Sequence, residues 1–215
     1  MGKVRGAAHR RMNIFLAFPT YDHKVDVEIM MMAAQLPPLY PQHQFQIDFI
    51  AGSILTGGRN YLVRNFLKSD SEWLLFWDSD VVIRDPSFLR KMLETAQNLK
   101  ADVVGGPYLI KNDQNLYAFG NYHDGKLINF KVGELRQPML VDTIVAGMML
   151  INRKVLEKLK APWFYIVDDR SGRTKTEDFN FCDDARKKGF KVAIDPRFDT
   201  YHFGLGCWKH KNPEN

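Results

Sequence analysis

The sequence predicts an α/β protein: a wound sheet with helices on its faces, followed by a second half of different, hairpin-rich character. Three observations lead there. Trp73-Leu74-Leu75-Phe76-Trp77 is an unbroken run of large apolar residues, as expected of a strand buried on both faces. From Asn13 to Gly105, strand-like and helix-like stretches alternate, the order of a wound parallel sheet. Later, His123-Asp124-Gly125-Lys126 separates two strand-like runs, Leu116 to Phe119 and Leu127 to Val132. Asp-Gly suits the tight reversal of a hairpin.

Size and charge narrow the class. With 215 residues the chain is most simply one domain with a sizeable core. We divide it into a basic tail over 1–12 and a single domain over 13–215, with halves 13–110 and 111–215. The tail clusters Lys3, Arg5, Arg10 and Arg11; it is read as a flexible segment or a remnant of expression and left out of the fold. The net charge of +5 is too small to mark a nucleic-acid binder. The longest apolar run, Ile144 to Ile151, is far short of the ~18–20 residues that span a membrane. Two cysteines, Cys182 and Cys207, make no disulfide framework and no zinc spacing, so a reducing, cytoplasmic location is expected.

Taken in order, Asn13 to Pro19 is a first buried strand, ended by the turn Pro19-Thr20-Tyr21-Asp22. Val25, Ile29 and Met32 lie at helical spacing, and Met30 to Met32 are packing filler. Leu36-Pro37-Pro38 is expected to stop this helix. Gln44 to Ile50 alternates Phe45, Ile47 and Phe49 as a second strand. Gly57-Gly58-Arg59-Asn60 opens a helix to about Lys68, and Asp85-Pro86 starts another, with Phe88, Leu89, Met92 and Leu93 as its buried stripe. Ala101 to Gly105 is a further strand. Val141 to Val145 and Met148 to Asn152 are strand-like; Gly147 between them allows either a close approach by a ligand or a bulge. Arg153 to Leu159 is a short helix. Asp168 to Lys175 is a polar loop. Thr176 caps a helix that begins Glu177-Asp178 and closes at Gly189. Lys191 to Ile194 is the last strand, and a polar tail with Trp208 and His210 follows His202.

The chemistry-bearing stretch is Asp78-Ser79-Asp80, directly after the apolar run. If the chain stays extended, Asp78 and Asp80 point the same way and Ser79 the other. Two carboxylates so placed repel unless a cation joins them, and that cation would hold a phosphate-bearing ligand. Turn or capping acids are the alternative. Arg59 and Arg64, ahead of this strand, are either nucleotide contacts or solvated surface arginines.

Three signals in a set order resemble the GT-A glycosyltransferases: Asp78-Ser79-Asp80, Thr176-Glu177-Asp178 at a helix start, and His202 after the final strand. Pro19-Thr20-Tyr21, Arg59-Asn60, Val145 to Leu150, Phe181-Cys182, Ala185-Arg186 and Gly189 extend the resemblance over residues 13–206. It implies a wound mixed sheet with a smaller acceptor-side β region. It also implies transfer of one sugar from a nucleoside-diphosphate sugar, UDP before GDP, to a glycan or glycoconjugate acceptor. Asp78, Asp80 and His202 would hold Mn²⁺ or Mg²⁺ between the donor's phosphates. Pro19, Thr20, Tyr21, Arg59, Arg64 and Ser79 would line the nucleotide-sugar, and Gly147, Met148 and Glu177 the acceptor or sugar. Asp178 would be the catalytic base, exchangeable with Glu177, and the Asp168–Lys175 loop a closing lid. Ala51-Gly52-Ser53 stands where many relatives carry base-contacting acids. A sugar nucleotidyltransferase and a non-catalytic nucleotide-sugar or glycan-binding module are the competing readings. The former is expected to carry a Gly-rich phosphate loop, and Phe18-Pro19-Thr20-Tyr21 is not one.

Overall fold

The computed structural model describes residues 11–111, 116–168, 174–204 and 207–210. The first half runs β1 (Asn13–Thr20), α1 (Val27–Leu39), β2 (Gln44–Ala51), α2 (Leu55–Lys68), β3 (Trp73–Trp77), β4 (Val81–Ile83), α3 (Phe88–Leu99) and β5 (Val103–Gly105). The second half opens with the hairpin β6 (Leu116–His123) and β7 (Lys126–Lys131), then β8 (Met139–Leu140), β9 (Met148–Asn152) and α4 (Arg153–Lys158). It ends with β10 (Val167–Asp168), β11 (Thr174–Lys175), α5 (Glu177–Lys187), β12 (Val192–Ile194), β13 (Thr200–Phe203) and β14 (Cys207–His210).

A seven-stranded mixed sheet in the order β2-β1-β3-β9-β5-β12-β8 is the frame. β1 is parallel to β2 and β3, and β12 is parallel to β5, while β9 runs antiparallel between β3 and β5. Side chains on a strand alternate faces, and the two cores divide accordingly. Phe15, Leu74 and Phe76 face α2, α4 and α5, packing on Phe66, Val155 and Phe181. Leu16, Leu75 and Trp77 face α1 and α3, packing on Ile29, Met32, Phe88 and Met92. This is why the β3 run contains no polar residue. Each fully buried phenylalanine or leucine here contributes roughly 1.5–3 kcal/mol. The hairpin turn is as expected, with Asp124 and Gly125 both at positive φ (49° and 73°).

Several expectations are corrected. The strand does not continue through the acids: β3 stops at Trp77, and Val81–Ile83 belongs to a separate three-stranded sheet with β13 and β14. Asp78 and Asp80 therefore sit in a turn, not on one face of an extended chain. Helix α1 runs through Pro37 and Pro38 to Leu39; both prolines lie exposed in its last turn, and Tyr40 N–H still donates to Leu36 O at the helix end. The alternation in β2 is real, but this is an edge strand, and Ile47 and Phe49 are about half exposed or more (48% and 62%). Val141 to Val145 forms no strand, because its amides bond to scattered partners: Val141 to Val192 O, Asp142 and Thr143 to Gly120 O. The expected polar tail instead pairs as β14 along β13. The expected 168–175 loop begins and ends in the β10–β11 pair, and residues 169–173, on which a lid would rest, lie outside the described residues, as do tail residues 1–10.

Candidate active site

The carboxyl ends of β1, β3 and β5 and the start of antiparallel β9 meet at one edge of the sheet, where open α/β sheets bind ligands. The acid turn lies on this edge and is held by the backbone. Asp78 N–H donates to Gly147 O at 2.8 Å, and Val81 N–H donates to Asp78 O at 3.2 Å. The Trp77 indole donates to Val81 O at 2.6 Å. Asp26 caps α1 through its side chain, and its N–H donates to Ser79 O at 3.1 Å, tying the helix start to the turn. Phe203 N–H donates to Asp80 O at 2.9 Å, which brings β13 alongside.

The turn sends its two acids in different directions. Asp78 turns inward to Arg59, whose Nη2 lies 3.0 Å from Oδ1 and hydrogen-bonds Oδ2 at 3.1 Å. Arg59 also reaches Glu177 Oε1 at 3.4 Å and lies over the Phe76 ring. Only 2% of Arg59 is exposed. Burial alone would weaken such a charge, but Asp78 and Glu177 more than offset it and raise its pKa. Arg59 thus meets the solvent-facing part of the site through carboxylates, whereas Arg64 is exposed on α2 and takes no part in this bridge.

Asp80 turns outward. Its Oδ2 lies 2.6 Å from Lys111 Nζ and 3.6 Å from His202 Nε2. Burial works to raise its pKa, but His202 and Lys111 together prevail and hold it low, at about 2. His202 Nδ1 is 3.1 Å from Leu109 O, and the ring meets Tyr108 edge-on at 4.7 Å. A carbonyl can only accept, so in this contact Nδ1 carries a proton, and the ring is turned so that Nε2 faces Asp80.

Asp178 lies in the first turn of α5 with 8% of its surface exposed. Burial, reinforced by neighbouring Glu177, pushes its pKa up to about 6. The Thr176 hydroxyl and Phe179 N–H both donate to its Oδ1. Thr176 occupies the N-cap position, but its side chain serves Asp178 and makes no capping bond. Tyr108 lies within electrostatic reach of Asp78, Asp178 and Asp80. It is buried, and burial together with the charges of Asp78 and Asp178 raises its phenol pKa well above the ordinary value. Gly147 makes room for it: a Cβ there would meet Tyr108 Cζ at 2.8 Å and Asp78 Oδ2 at 3.0 Å. The space beside Gly147, where a ligand's approach or a bulge was expected, is taken by Tyr108 and Asp78.

The remaining expected residues fall around this cluster. Thr20 is buried, and its hydroxyl finds no hydrogen-bond partner among the described residues. Tyr21 is 75% exposed beside it. Ser79 is half-buried in the turn. Met148 is fully buried, so its side chain packs behind the site. A concavity of about 920 Å³ bordered by Glu72, Trp73 and Asp102 opens at the opposite edge of the sheet and shares none of these groups.

Comparison with known proteins decides the family. The model of glycosyltransferase-like family 2 matches residues 8–211. The chain belongs to this family. Among solved structures, A197 from STIV is similar, with a TM-score of 0.63 at 21% identity over 90% of this chain and 86% of that one. It supports the fold. A glycosyltransferase involved in the glycosylation of the major capsid of PBCV-1 also matches, with a TM-score of 0.40 at 12% identity over 70% of this chain and 69% of that one. No curated protein sequence matches. The protein is a glycosyltransferase with a mixed α/β fold consistent with GT-A. Among its described residues no helix is long and apolar enough to cross a membrane.

Two residues of this glycosyltransferase's site escaped the sequence reading. Tyr108 and Lys111 follow β5 on the same sheet edge. Their only signal was position: polar residues just past the carboxyl end of a parallel strand. As for a metal, no group of three or more His, Cys, Asp or Glu is clustered to hold one among the described residues. Asp80 and His202 nevertheless offer a carboxylate and an oriented imidazole within 3.6 Å of each other. That pair suits an ion whose remaining ligands come from substrate and water.

Proposed function

We propose that this enzyme moves a single sugar from a nucleoside-diphosphate sugar, UDP before GDP, to a hydroxyl of a glycan or glycoconjugate, with Asp178 as base. The observation that carries this reading is the contrast between two carboxylates whose charges both act on Tyr108. Asp178 is buried with its pKa up at about 6, while Asp80 is partly exposed and kept ionised. Divergent carboxylate environments in one site mark divided roles.

In this reading Asp178 accepts the proton of the acceptor hydroxyl as its oxygen bonds to the anomeric carbon. The bond from that carbon to the diphosphate breaks, and the leaving oxygen takes the electron pair. A base with a pKa near 6 is ionised at neutral pH yet still basic enough to take a proton. Glu177, fixed by Arg59, keeps a second negative charge near Asp178 and helps hold its pKa up. Asp80 and His202 would hold a divalent ion, Mn²⁺ or Mg²⁺, which when bound supplies Lewis-acid stabilisation of charge on the leaving diphosphate. Arg59 orients Asp78, and through the turn Asp80, without meeting the donor itself. Thr20 and Tyr21 border the nucleoside, the unpartnered Thr20 hydroxyl being suited to a ribose or base contact.

The test is a panel of UDP- and GDP-sugars incubated with Mn²⁺ or Mg²⁺, with and without chelator, and assayed for released nucleoside diphosphate. Release from at least one donor, suppressed by chelator and by Asp178→Asn in the presence of acceptor, is expected. Binding of nucleotide sugars without any release would instead favour a binding module.

A further inference from the structure

We propose that Lys111 binds the donor's diphosphate, its ammonium passing from Asp80 to the phosphate oxygens when a divalent cation occupies Asp80. The inference rests on the glycosyl-transfer reading and adds a residue to it.

The argument starts from geometry. Lys111 Nζ lies 2.6 Å from Asp80 Oδ2, the same oxygen that His202 Nε2 faces at 3.6 Å. Two nitrogen groups, the Lys111 ammonium and the His202 imidazole, thus converge on one carboxylate oxygen. A divalent ion bound there and an ammonium at hydrogen-bond distance from it would be like charges a few ångström apart, which repel. One must yield, and the lysine is the mobile partner: its charge rides on a flexible four-carbon stem.

Where the ammonium goes is set by what surrounds it. Asp78 is committed to Arg59 at 3.0 Å, and Glu177 to Arg59 at 3.4 Å. Asp178 is buried and takes its hydrogen bonds from Thr176 and Phe179. Lys111 and Asp80 are both partly exposed, about a third and two-fifths respectively, so the displaced ammonium stays at the mouth of the site. A diphosphate bridged to Asp80 by the cation places anionic oxygens within reach of that stem. Lysine acts there as a point charge, with no geometric demand beyond proximity. The pairing seen with Asp80 then has a second use: it neutralises the carboxylate and weakens cation binding until a diphosphate offers the lysine an alternative partner. Cation and nucleotide are expected to bind cooperatively for that reason.

Calorimetry on the full chain separates the parts. Mn²⁺ alone and UDP or GDP in saturating Mn²⁺ are titrated into wild type, Lys111→Met and Lys111→Arg, with circular dichroism confirming a common fold. Loss of one charge-assisted contact predicts at least about tenfold weaker nucleotide binding for Lys111→Met. Mn²⁺ alone should bind Lys111→Met severalfold tighter than wild type, because the competing ammonium is gone. Lys111→Arg should retain nucleotide affinity to within about threefold. Wild-type nucleotide binding that Lys111→Met leaves unchanged, or Mn²⁺ affinity that it lowers, would overturn the role of Lys111 while leaving the transferase reading intact. Absence of nucleotide binding by wild type itself would overturn the transferase reading and this role together.

Discussion

Asp178 provides a prediction that can be worked from structure to number. Its pKa rises from 3.8 to about 6, first because of burial and second because of Glu177. A group whose protonated form is favoured by folding adds nothing unfavourable below its unfolded pKa. As pH rises from about 4 to above 6, the folded protein must ionise a carboxyl that resists ionisation, and stability falls. The difference between 3.8 and about 6 corresponds to about 3 kcal/mol. Asp178→Asn is nearly isosteric, and its amide oxygen can still accept from Phe179 N–H and the Thr176 hydroxyl. The variant should therefore match wild type near pH 4 and gain up to about 3 kcal/mol by pH 7–8. For a chain of this size that is roughly 6–12 °C in Tm. Urea or thermal unfolding of both proteins at intervals from pH 4 to 8 measures it. A stability difference that does not vary with pH, or one that turns against the variant as pH rises, would refute the placement of Asp178 in a site that resists its charge. The gain should accompany loss of transfer, since the same burial prepares the carboxylate as a base.

Three further outcomes follow from the same geometry. Arg59→Met strands two carboxylates, Asp78 and Glu177, and should cost about 3–5 kcal/mol in denaturant unfolding; Arg59→Lys should recover only part, because an ammonium lacks the fork that spans both. Gly147→Ala forces Tyr108 and Asp78 aside, so Tm should fall by an amount equivalent to about 1–3 kcal/mol while nucleotide-dependent activity falls by an order of magnitude or more. The acid limb of kcat/KM should lie near pH 6, the value of Asp178, and Asp80→Ala should leave that limb where it is, since Asp80 is ionised throughout.

How far the sequence was legible depended on whether a residue's environment was local. β3 could be read because burial on both faces excludes every polar residue from Trp73 to Trp77. The hairpin could be read because positive φ at Asp124 and Gly125 is a demand on those two residues alone. The pairing of Glu177-Asp178 with Asp78-Ser79-Asp80 in one site was foreseeable only from their resemblance to a known order of motifs. The break after Trp77 was not visible, because what turns the chain is distant: Gly147 O receives Asp78 N–H, and Ser79 O receives Asp26 N–H. Nor was the opposed orientation of the two acids, which depends on Arg59 inside and Lys111 outside. Helix α1 holds both prolines in its last turn and ends one residue beyond them, at Leu39. Ile47 and Phe49 obeyed strand alternation, yet no alternation pattern distinguishes an edge strand from a covered one.

The account stands on Asp80 securing the donor and Asp178 activating the acceptor within one site. Titrating UDP with Mn²⁺ into wild type, Asp80→Ala and Asp178→Asn, and assaying sugar transfer on the same samples, tests that division directly. Asp80→Ala should lose the Mn²⁺-dependent part of UDP affinity, and Asp178→Asn should bind UDP as wild type does while transferring nothing. Undiminished UDP affinity in Asp80→Ala, or substantial transfer by Asp178→Asn, would contradict it.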